Sequence, residues 1–305
     1  MSKQEITAKK RNPLFDNIIT MIIRGAGYSS ILFVGLICIF LLKEGLPALV
    51  NIPTSELFGS FWYPIDEYYS IIPIFLGSIT ITIGAGIIAV PLGIGTAVYI
   101  SEIAPSWLRD TLKPLIEILA GIPSVVLGFI GILVLSPFIR TTFNLPTGLN
   151  ALTGSILLGW AAIPTIVSIS EDALNSVPHS YREASLALGA TPWQTIWQST
   201  VPAARSGILT AVMLGVGRVI GETMTVMMVS GNAPITPKGL DAFISPIRTM
   251  TATIASEMGE VASGSTHYQV LFLIGIILFT FSLIINILAI MITYKRIKRS
   301  ERLLS

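Results

Sequence analysis

Two charged side chains in a long apolar run have residue types and a spacing that could do chemistry. Arg218 and Glu222 lie near the middle of this run. Glycines around them, at positions 215, 217 and 221, would allow another helix or a substrate to approach closely. Charges at membrane depth are costly and are normally paired or functional. A four-residue spacing places both on one face of a helix, and the planar arginine fork suits an oxyanion. The pair therefore indicates either an anion site or gate, or a buried ion pair that neutralises itself.

The segment before this run, residues 172–204, carries the signals of two short helices. The stretch from Ser180 to Glu183 has the pattern of a capping box, and Gly189 is expected to end the first helix. Thr191 to Gln194 has the pattern of a second capping box, with proline at the first helical position. We expect this second helix to end at about Thr200.

The exposed side of this loop, residues 172–204, is unusually apolar. We expect it to present Leu186, Leu188, Trp193, Ile196 and Trp197. Two interpretations are open at this point. The helices pack on the membrane bundle, or they form a docking element for a partner protein.

The motifs of several enzyme classes are missing from the sequence. It contains no P-loop motif (Gly-x-x-x-x-Gly-Lys-Ser/Thr), no His-Glu-x-x-His motif and no Gly-x-Ser-x-Gly motif. This argues against an ATP site of that type and against those metalloproteases and serine hydrolases. Cys38 is the single cysteine, so an internal disulfide and a cysteine metal cluster are excluded. We predict no catalytic residue, no metal site and no cofactor on this chain.

Membrane helices are the elements that must position these residues. Of the 305 residues, 52% are hydrophobic and 12% are charged, whereas soluble domains carry about a quarter charged residues. Uncharged runs of about 18 or more residues can cross a bilayer, where backbone groups must pair within helices. We predict an all-α integral membrane protein with about six spans, at about 22–42, 71–100, 114–139, 153–171, 205–230 and 270–294.

The distribution of basic residues predicts the orientation. Lysine and arginine concentrate on the side of both termini, which the positive-inside rule assigns to the cytoplasm. The predicted organisation is a cytoplasmic segment 1–21, a transmembrane domain 22–294 that includes the loop, and a basic cytoplasmic tail 295–305. The net charge of +2 is small, and we expect no nucleic-acid partner.

Other polar and aromatic residues are expected at surfaces. Five aromatic residues before the second span suit a membrane surface: Phe61, Trp62, Tyr63, Tyr68 and Tyr69. His267 is expected as polar surface at the external end of the last span. Four charges that border an internal loop are expected at a surface or an interface: Glu102, Arg109, Lys113 and Glu117.

The loop at 172–204 resembles the EAA motif of ABC importer permeases. The positions that match this motif are Glu183, Ala184, Gly189 and Pro202. The departures are Ser185, Ser199 and Val201, in place of the usual alanine, isoleucine and leucine. In that family the loop forms a coupling helix that sits in a groove of the ATPase subunit. The resemblance implies this coupling role for the four matching residues.

Three further stretches, at 89–97, 117–124 and 217–224, resemble the PstC-type permease of phosphate importers. Gly231 and Asn232 favour this subunit over its PstA-type paralogue. The resemblance implies ATP-driven passage of inorganic phosphate through the membrane bundle, towards the cytoplasm.

The same resemblance implies which residues and partners take part. Arg218 and Glu222 are implied in the phosphate pathway. The implied partners are a PstA-type second permease, two ATPase subunits that hold ATP and magnesium, an external phosphate-binding protein and membrane lipid. The alternatives are a permease for another oxyanion such as molybdate or sulfate, a stand-alone secondary transporter, and an intramembrane enzyme.

Overall fold

The structure is a computed structural model, and residues 13–237 and 239–304 are described from it. The first twelve residues of the predicted segment 1–21, and Ser305 of the predicted tail, lie outside the described residues. The regular structure is almost entirely helical, as predicted. The described part of the chain contains six helical stretches long and apolar enough to cross a membrane: Ile19–Asn51, Ile72–Ile103, Ser124–Thr142, Ala151–Asn175, Pro192–Gly221 and Thr266–Leu288.

The elements are numbered in chain order. The α-helices of the described residues are α1 (Pro13–Gly45), α2 (Pro47–Asn51), α3 (Thr54–Leu57), α4 (Ile72–Val98), α5 (Ser106–Ala120), α6 (Ser124–Ile130), α7 (Ser136–Thr142), α8 (Ala151–Asn175), α9 (His179–Ala187), α10 (Pro192–Thr195), α11 (Val201–Gly221), α12 (Met224–Val229), α13 (Met250–Glu257) and α14 (Thr266–Leu304). Two short strands, β1 (Trp62–Tyr63) and β2 (Tyr68–Tyr69), form an antiparallel hairpin. Three π-helical turns extend or join α-helices, at Tyr99–Ile103, Gly131–Leu135 and Ile196–Thr200.

Helices α4, α8 and α11 form the centre of the bundle. Ile166 of α8 is fully buried between the other two helices. A Cβ atom at Gly93 of α4 would lie 2.7 Å from the Ile166 side chain, and one at Gly215 of α11 would lie 2.5 Å from it. Small residues allow membrane helices to approach closely. The glycines of α4 and α11 therefore let both helices pack directly on α8.

The predicted third span, 114–139, is wrong at its start. A turn at residues 121–123 separates α5 from α6, and the span itself is Ser124–Thr142. Pro123 cannot donate a backbone hydrogen bond, and it disfavours helical geometry at the residue before it. As a result, the charged helix α5 is separate from the span.

The predicted fifth span, 205–230, differs at both ends. The helix is continuous over Pro192–Gly221, so the expected end at Thr200 is wrong. Pro202 lies within this continuous helix, directly after the π-helical turn Ile196–Thr200, so the missing proline N–H does not end the helix here. At its other end the helix stops before residue 222, as described below.

The hairpin and α13 lie on one side of the bundle, here called the external side after the predicted orientation. Trp62 and Tyr69 pair across the hairpin and are buried, so the expectation that they lie at a membrane surface is wrong. The other three aromatic residues are exposed as expected: Phe61, Tyr63 and Tyr68. His267 is only partly exposed, because its Nε2 lies 2.8 Å from Glu257 Oε2 and its ring packs against Trp62.

Candidate functional site

Two helix breaks lie side by side within the bundle. Helix α11 ends at Gly221 and α12 begins at Met224, while α5 ends at Ala120 and α6 begins at Ser124. The hydroxyl of Thr225 in α12 donates to the carbonyl oxygen of Ser124 over 3.0 Å and joins the two breaks. Irregular backbone at membrane depth is tolerated only where protein buries it or where it lines a cavity. These paired breaks are therefore the candidate pathway.

Arg218 lies one turn before the α11 break, and its guanidinium reaches the other break. Its Nη1 donates to Thr165 Oγ1 and its Nη2 donates to the carbonyl oxygen of Ala120, both over 3.4 Å. These contacts are longer than ordinary hydrogen bonds, and both acceptors are neutral. Within residues 13–237 and 239–304, no carboxylate forms a salt bridge with Arg218. The described part of the chain therefore does not neutralise its charge.

Glu222 does not share a helix face with Arg218 as predicted, because the helix ends between them. Its backbone is extended, with φ −71° and ψ 128°. Its Oε1 accepts the backbone N–H groups of Thr223, over 3.2 Å, and Thr225, over 3.4 Å. A carboxylate near the first turn of a helix is also favoured by the helix dipole. Glu222 thus caps α12 and forms no pair with Arg218.

The surface around the α11 break is open in this chain. A Cβ atom added at Gly217 or Gly221 would meet no atom within 4 Å, and Leu214 and Met224 are exposed. Arg218 itself is partly exposed. A cation with spare donors, here beside the Thr165 hydroxyl, can bind an oxyanion through charge-assisted hydrogen bonds. The arrangement therefore suits transient contact with an anion.

The loop between α8 and α11 folds largely as predicted. Gly189 has φ +85° and follows the first helix, and Thr191 and Gln194 form the expected capping box. The predicted capping box at Ser180 is wrong, because α9 begins directly after Pro178 and has no side-chain cap. Extended Pro178 takes the cap position, so Ser180 lies within the first turn of the helix.

The loop presents an apolar patch, defined by Leu186, Leu188, Trp193 and Trp197. These side chains are between 45% and 90% exposed, and the two tryptophan rings contact each other edge to face. Ile196 was expected beside them but is buried, because it packs in the core cluster at the end of the bundle nearest this loop. The motif residues Glu183, Ala184, Gly189 and Pro202 are all exposed. An exposed apolar patch of this kind indicates a docking surface.

An ion pair that the sequence analysis missed ties this loop to the π-helical turn after α4, Tyr99–Ile103. Arg182 of α9 binds Glu102 through two bonds, of 2.5 Å from Nη2 and 3.1 Å from Nε. Their side chains are 18% and 8% exposed, so of the two places expected for Glu102, an exposed surface is wrong. Arg182 also donates to the carbonyl oxygen of Leu174 in the last turn of α8 and to that of Val177 just after it. The hydrogen bond to Glu102 raises the pKa of Arg182.

A second polar contact joins α5 to α8. Lys113 Nζ lies 2.9 Å from Oε2 of Glu171, which is 3% exposed, and this hydrogen bond raises the pKa of Lys113. Asn175 donates to the other Glu171 oxygen over 2.6 Å and accepts the Ser101 hydroxyl over 2.9 Å. Arg109 donates to the backbone carbonyl of Ser101. The four-residue spacing of Glu171 and Asn175 could have indicated from the sequence that these two side chains contact each other in α8.

The left-handed turn at Gly189 gives a testable prediction. A valine at this φ of +85° is a steric outlier that costs on the order of 1–2 kcal/mol or more, although no atom would contact its Cβ within 4 Å. We expect Gly189→Val to lower substrate uptake and ATPase association while the chain still inserts. Gly189→Asn is the matched control, because asparagine tolerates this conformation. Normal uptake and association in the valine variant would exclude the turn from coupling.

Comparison with known proteins identifies relatives over most of the chain. Residues 89–298 match the family described as binding-protein-dependent transport system inner membrane component. The chain is 43% identical to a Bacillus subtilis protein named "Probable ABC transporter permease protein YqgH", over 83% of this chain and 82% of the relative. It is 33% identical to the phosphate transport system permease protein PstC of Mesorhizobium japonicum, over 92% and 90%. It is 34% identical to PstC of Haemophilus influenzae, over 78% and 81%.

Solved structures share the fold at lower identity. The inward-facing MetNI methionine ABC transporter aligns with a TM-score of 0.56 at 21% identity, over 72% of this chain and 92% of that chain. A bacterial alginate ABC transporter in complex with a pentasaccharide-bound periplasmic protein aligns with a TM-score of 0.57 at 15% identity, over 91% and 96%. At these identities the likeness shows the fold alone.

Proposed function

We propose that this chain, which belongs to the family of binding-protein-dependent transport system inner membrane components, is the permease subunit of an ATP-driven importer of inorganic phosphate. The chain is an ABC permease subunit and a multi-pass inner membrane protein, in keeping with its family and its six apolar helices. Two of its relatives carry the name phosphate transport system permease protein, which supports phosphate as the substrate.

One structural observation carries the substrate proposal. The guanidinium of Arg218 lies at paired helix breaks and is bordered by neutral oxygens at 3.4 Å. An anion crossing an apolar region needs a compensating charge, and an arginine fork matches the oxygens of phosphate. Glu222 shapes this pathway by capping α12. Weak existing contacts let Arg218 exchange its partners as phosphate passes.

The loop between α8 and α11, residues 172–204, is the coupling loop of the proposed mechanism. Glu183, Ala184, Gly189 and Pro202 belong to the surface that docks on an ATPase subunit, and the apolar patch supplies the contact area. Motion of the docked loop then reaches the bundle through Arg182, which binds Glu102 in the π-helical turn after α4 and the carbonyl oxygen of Leu174 in the last turn of α8. The loop therefore passes the motion of the ATPase to the membrane helices during the transport cycle.

The proposed importer needs several partners. These are a PstA-type second permease, two ATPase subunits that hold ATP and magnesium, and an external phosphate-binding protein. The open face beside Gly217 and Gly221 is the side on which the second permease would complete the pathway. The chain itself contributes no catalytic residue, cofactor or metal to this proposal.

Phosphate uptake in cells that lack this chain tests the proposed function. We expect uptake to fall and to return when the chain is supplied, while sulfate and molybdate uptake stay unchanged. Loss of sulfate or molybdate uptake with normal phosphate uptake would assign the permease to that oxyanion instead. Co-purification of an ATPase with the chain distinguishes an importer subunit from a transporter that works alone.

The proposed orientation gives a further prediction. Both termini should be cytoplasmic, because basic residues concentrate on their side of the membrane. Single cysteines placed at positions 5 and 300, in a chain whose Cys38 is replaced by serine, should resist a membrane-impermeant thiol reagent in intact cells. A cysteine at position 65, in the exposed turn of the hairpin, is the control that should react. Strong labelling at position 5 or 300 would reject the six-span topology.

A further inference from the structure

The break between α11 and α12 depends on a donor from another part of the chain. Because α11 ends at Gly221, the carbonyl oxygen of Glu222 is not bonded within a continuing α-helix. The hydroxyl of Thr251, in α13, donates to this oxygen over 3.0 Å. In a continuous helix the same oxygen would instead accept the N–H of Val226, four residues later. Thr251 thus gives the Glu222 carbonyl oxygen the hydrogen bond that Val226 would give it in a straight helix.

Helix α13 is fixed in place by contacts at both of its ends. At its start, Met250 N donates to Ser78 Oγ of α4 over 2.9 Å. A Cβ atom at Gly77 would lie 2.2 Å from the carbonyl oxygen of Arg248, so the segment before α13 lies directly against α4. Thr251 is 8% exposed. The donor that reaches Glu222 therefore projects from a helix with little freedom to move.

The other end of α13 is held by a cluster of polar side chains. Glu257 Oε1 accepts the indole N–H of Trp62 over 3.1 Å and lies 2.8 Å from Arg248 Nη1. Its Oε2 lies 2.8 Å from Nε2 of His267, at the start of α14. Glu257 thus joins the hairpin, the segment before α13 and the last span. Charge-assisted bonds of this kind are among the strong ones.

From these contacts we propose that Thr251 is a positioning residue for the transport pathway: it holds the α11–α12 junction broken and so keeps Glu222 away from Arg218. In the broken state the Glu222 carboxylate caps α12. In a straight helix Glu222 would return to the face of Arg218, one turn later, and could pair with it. That pair would neutralise the charge that phosphate needs.

The inference deepens the proposed function and rests on Arg218 being its anion contact. The effect on hydrogen bonding at residues 222–226, however, does not depend on which substrate is carried.

Thr251→Val keeps the size of the side chain and removes the donor. Thr251→Ser restores the donor. Thr253→Val is a matched control, because Thr253 is fully buried in the same helix and its hydroxyl bonds only to Thr249 O in the described structure.

Amide hydrogen exchange of the complete importer, purified with its partners, tests the inference. We expect Thr251→Val to slow exchange over residues 222–226, because a straight helix would add backbone hydrogen bonds there. Simple loosening of the fold would speed exchange instead, so faster or unchanged exchange in this variant would overturn the inference. Thr251→Ser and Thr253→Val should both exchange as the unsubstituted chain does.

Uptake provides a second arm of the same experiment. Thr251→Val should lower phosphate uptake roughly tenfold, as expected for the loss of one buried hydrogen bond, with Thr251→Ser near the unsubstituted rate. Adding Glu222→Gln to Thr251→Val should restore part of that loss, because glutamine cannot neutralise Arg218. Equal uptake in Thr251→Val and the unsubstituted chain would contradict the positioning role. If the substrate is another oxyanion, the unsubstituted importer fails to take up phosphate, while the exchange result still decides the inference.

Discussion

Arg218→Ala should abolish phosphate uptake through the proposed pathway. The substitution leaves no compensating cation beside the paired breaks, and an uncompensated charge in an apolar region is costly. Arg218→Lys should retain only part of the uptake, because an ammonium group lacks the planar fork that matches two oxygens. The measurement is the initial rate of labelled phosphate uptake at matched abundance of the chain in the membrane.

The fold should survive these substitutions, since Arg218 makes only two contacts of 3.4 Å within the described chain. Assembly with the ATPase is therefore the control, and it should be normal in both variants. An alanine variant that assembles and transports phosphate at the unsubstituted rate would remove Arg218 from the pathway.

Glu102→Ala should uncouple the loop from the bundle, which is the second large effect. The substitution leaves Arg182 without a carboxylate at a site where its side chain is 18% exposed. Breaking one partner of a buried pair costs about 3–5 kcal/mol. We expect a lower midpoint temperature of thermal unfolding of the purified importer and slower phosphate uptake. We also expect ATP hydrolysis to be uncoupled from phosphate uptake.

A more exposed ion pair in α1 gives a control for this effect. Lys43 and Glu44 lie 3.7 Å apart, with side chains 76% and 25% exposed, and such surface pairs contribute about 0–1 kcal/mol. Glu44→Ala should therefore leave uptake and the thermal midpoint near their unsubstituted values. A double-mutant cycle of Glu102 and Arg182 should show strong coupling. Independent, additive effects of the two single substitutions would contradict the proposed link.

Sequence reasoning predicted the features that depend on local composition. The helical class and the six spans follow from long uncharged runs, because in lipid the backbone must pair within each segment. The turn at Gly189 and the capping box at Thr191 follow from residues that act within a few positions of themselves. The family resemblance added the relation to ABC permeases, which the comparisons confirm.

The features that were missed depend on contacts between distant segments. The break after Gly221 was missed because this glycine, a residue common at helix ends, was interpreted as allowing close helix approach, and because the donor that satisfies the break, Thr251, lies in α13. Glu102 and Arg182 are likewise 80 positions apart in the chain. Trp62 and His267 looked like surface residues until the fold placed Glu257 between them. Long-range hydrogen bonds therefore account for most of the corrections at the candidate site.

One double substitution tests the central claim, that Arg218 supplies a functional charge, most directly. Replacing both Arg218 and Glu222 by leucine removes both charges together, and buried ion pairs that serve only structure are often dispensable when removed as a unit. The structure shows no such pair, because Glu222 bonds to the N–H groups of α12. With the chain at normal abundance and bound to its ATPase, we predict no phosphate uptake above that of cells lacking the chain. Uptake at the unsubstituted rate would contradict the account.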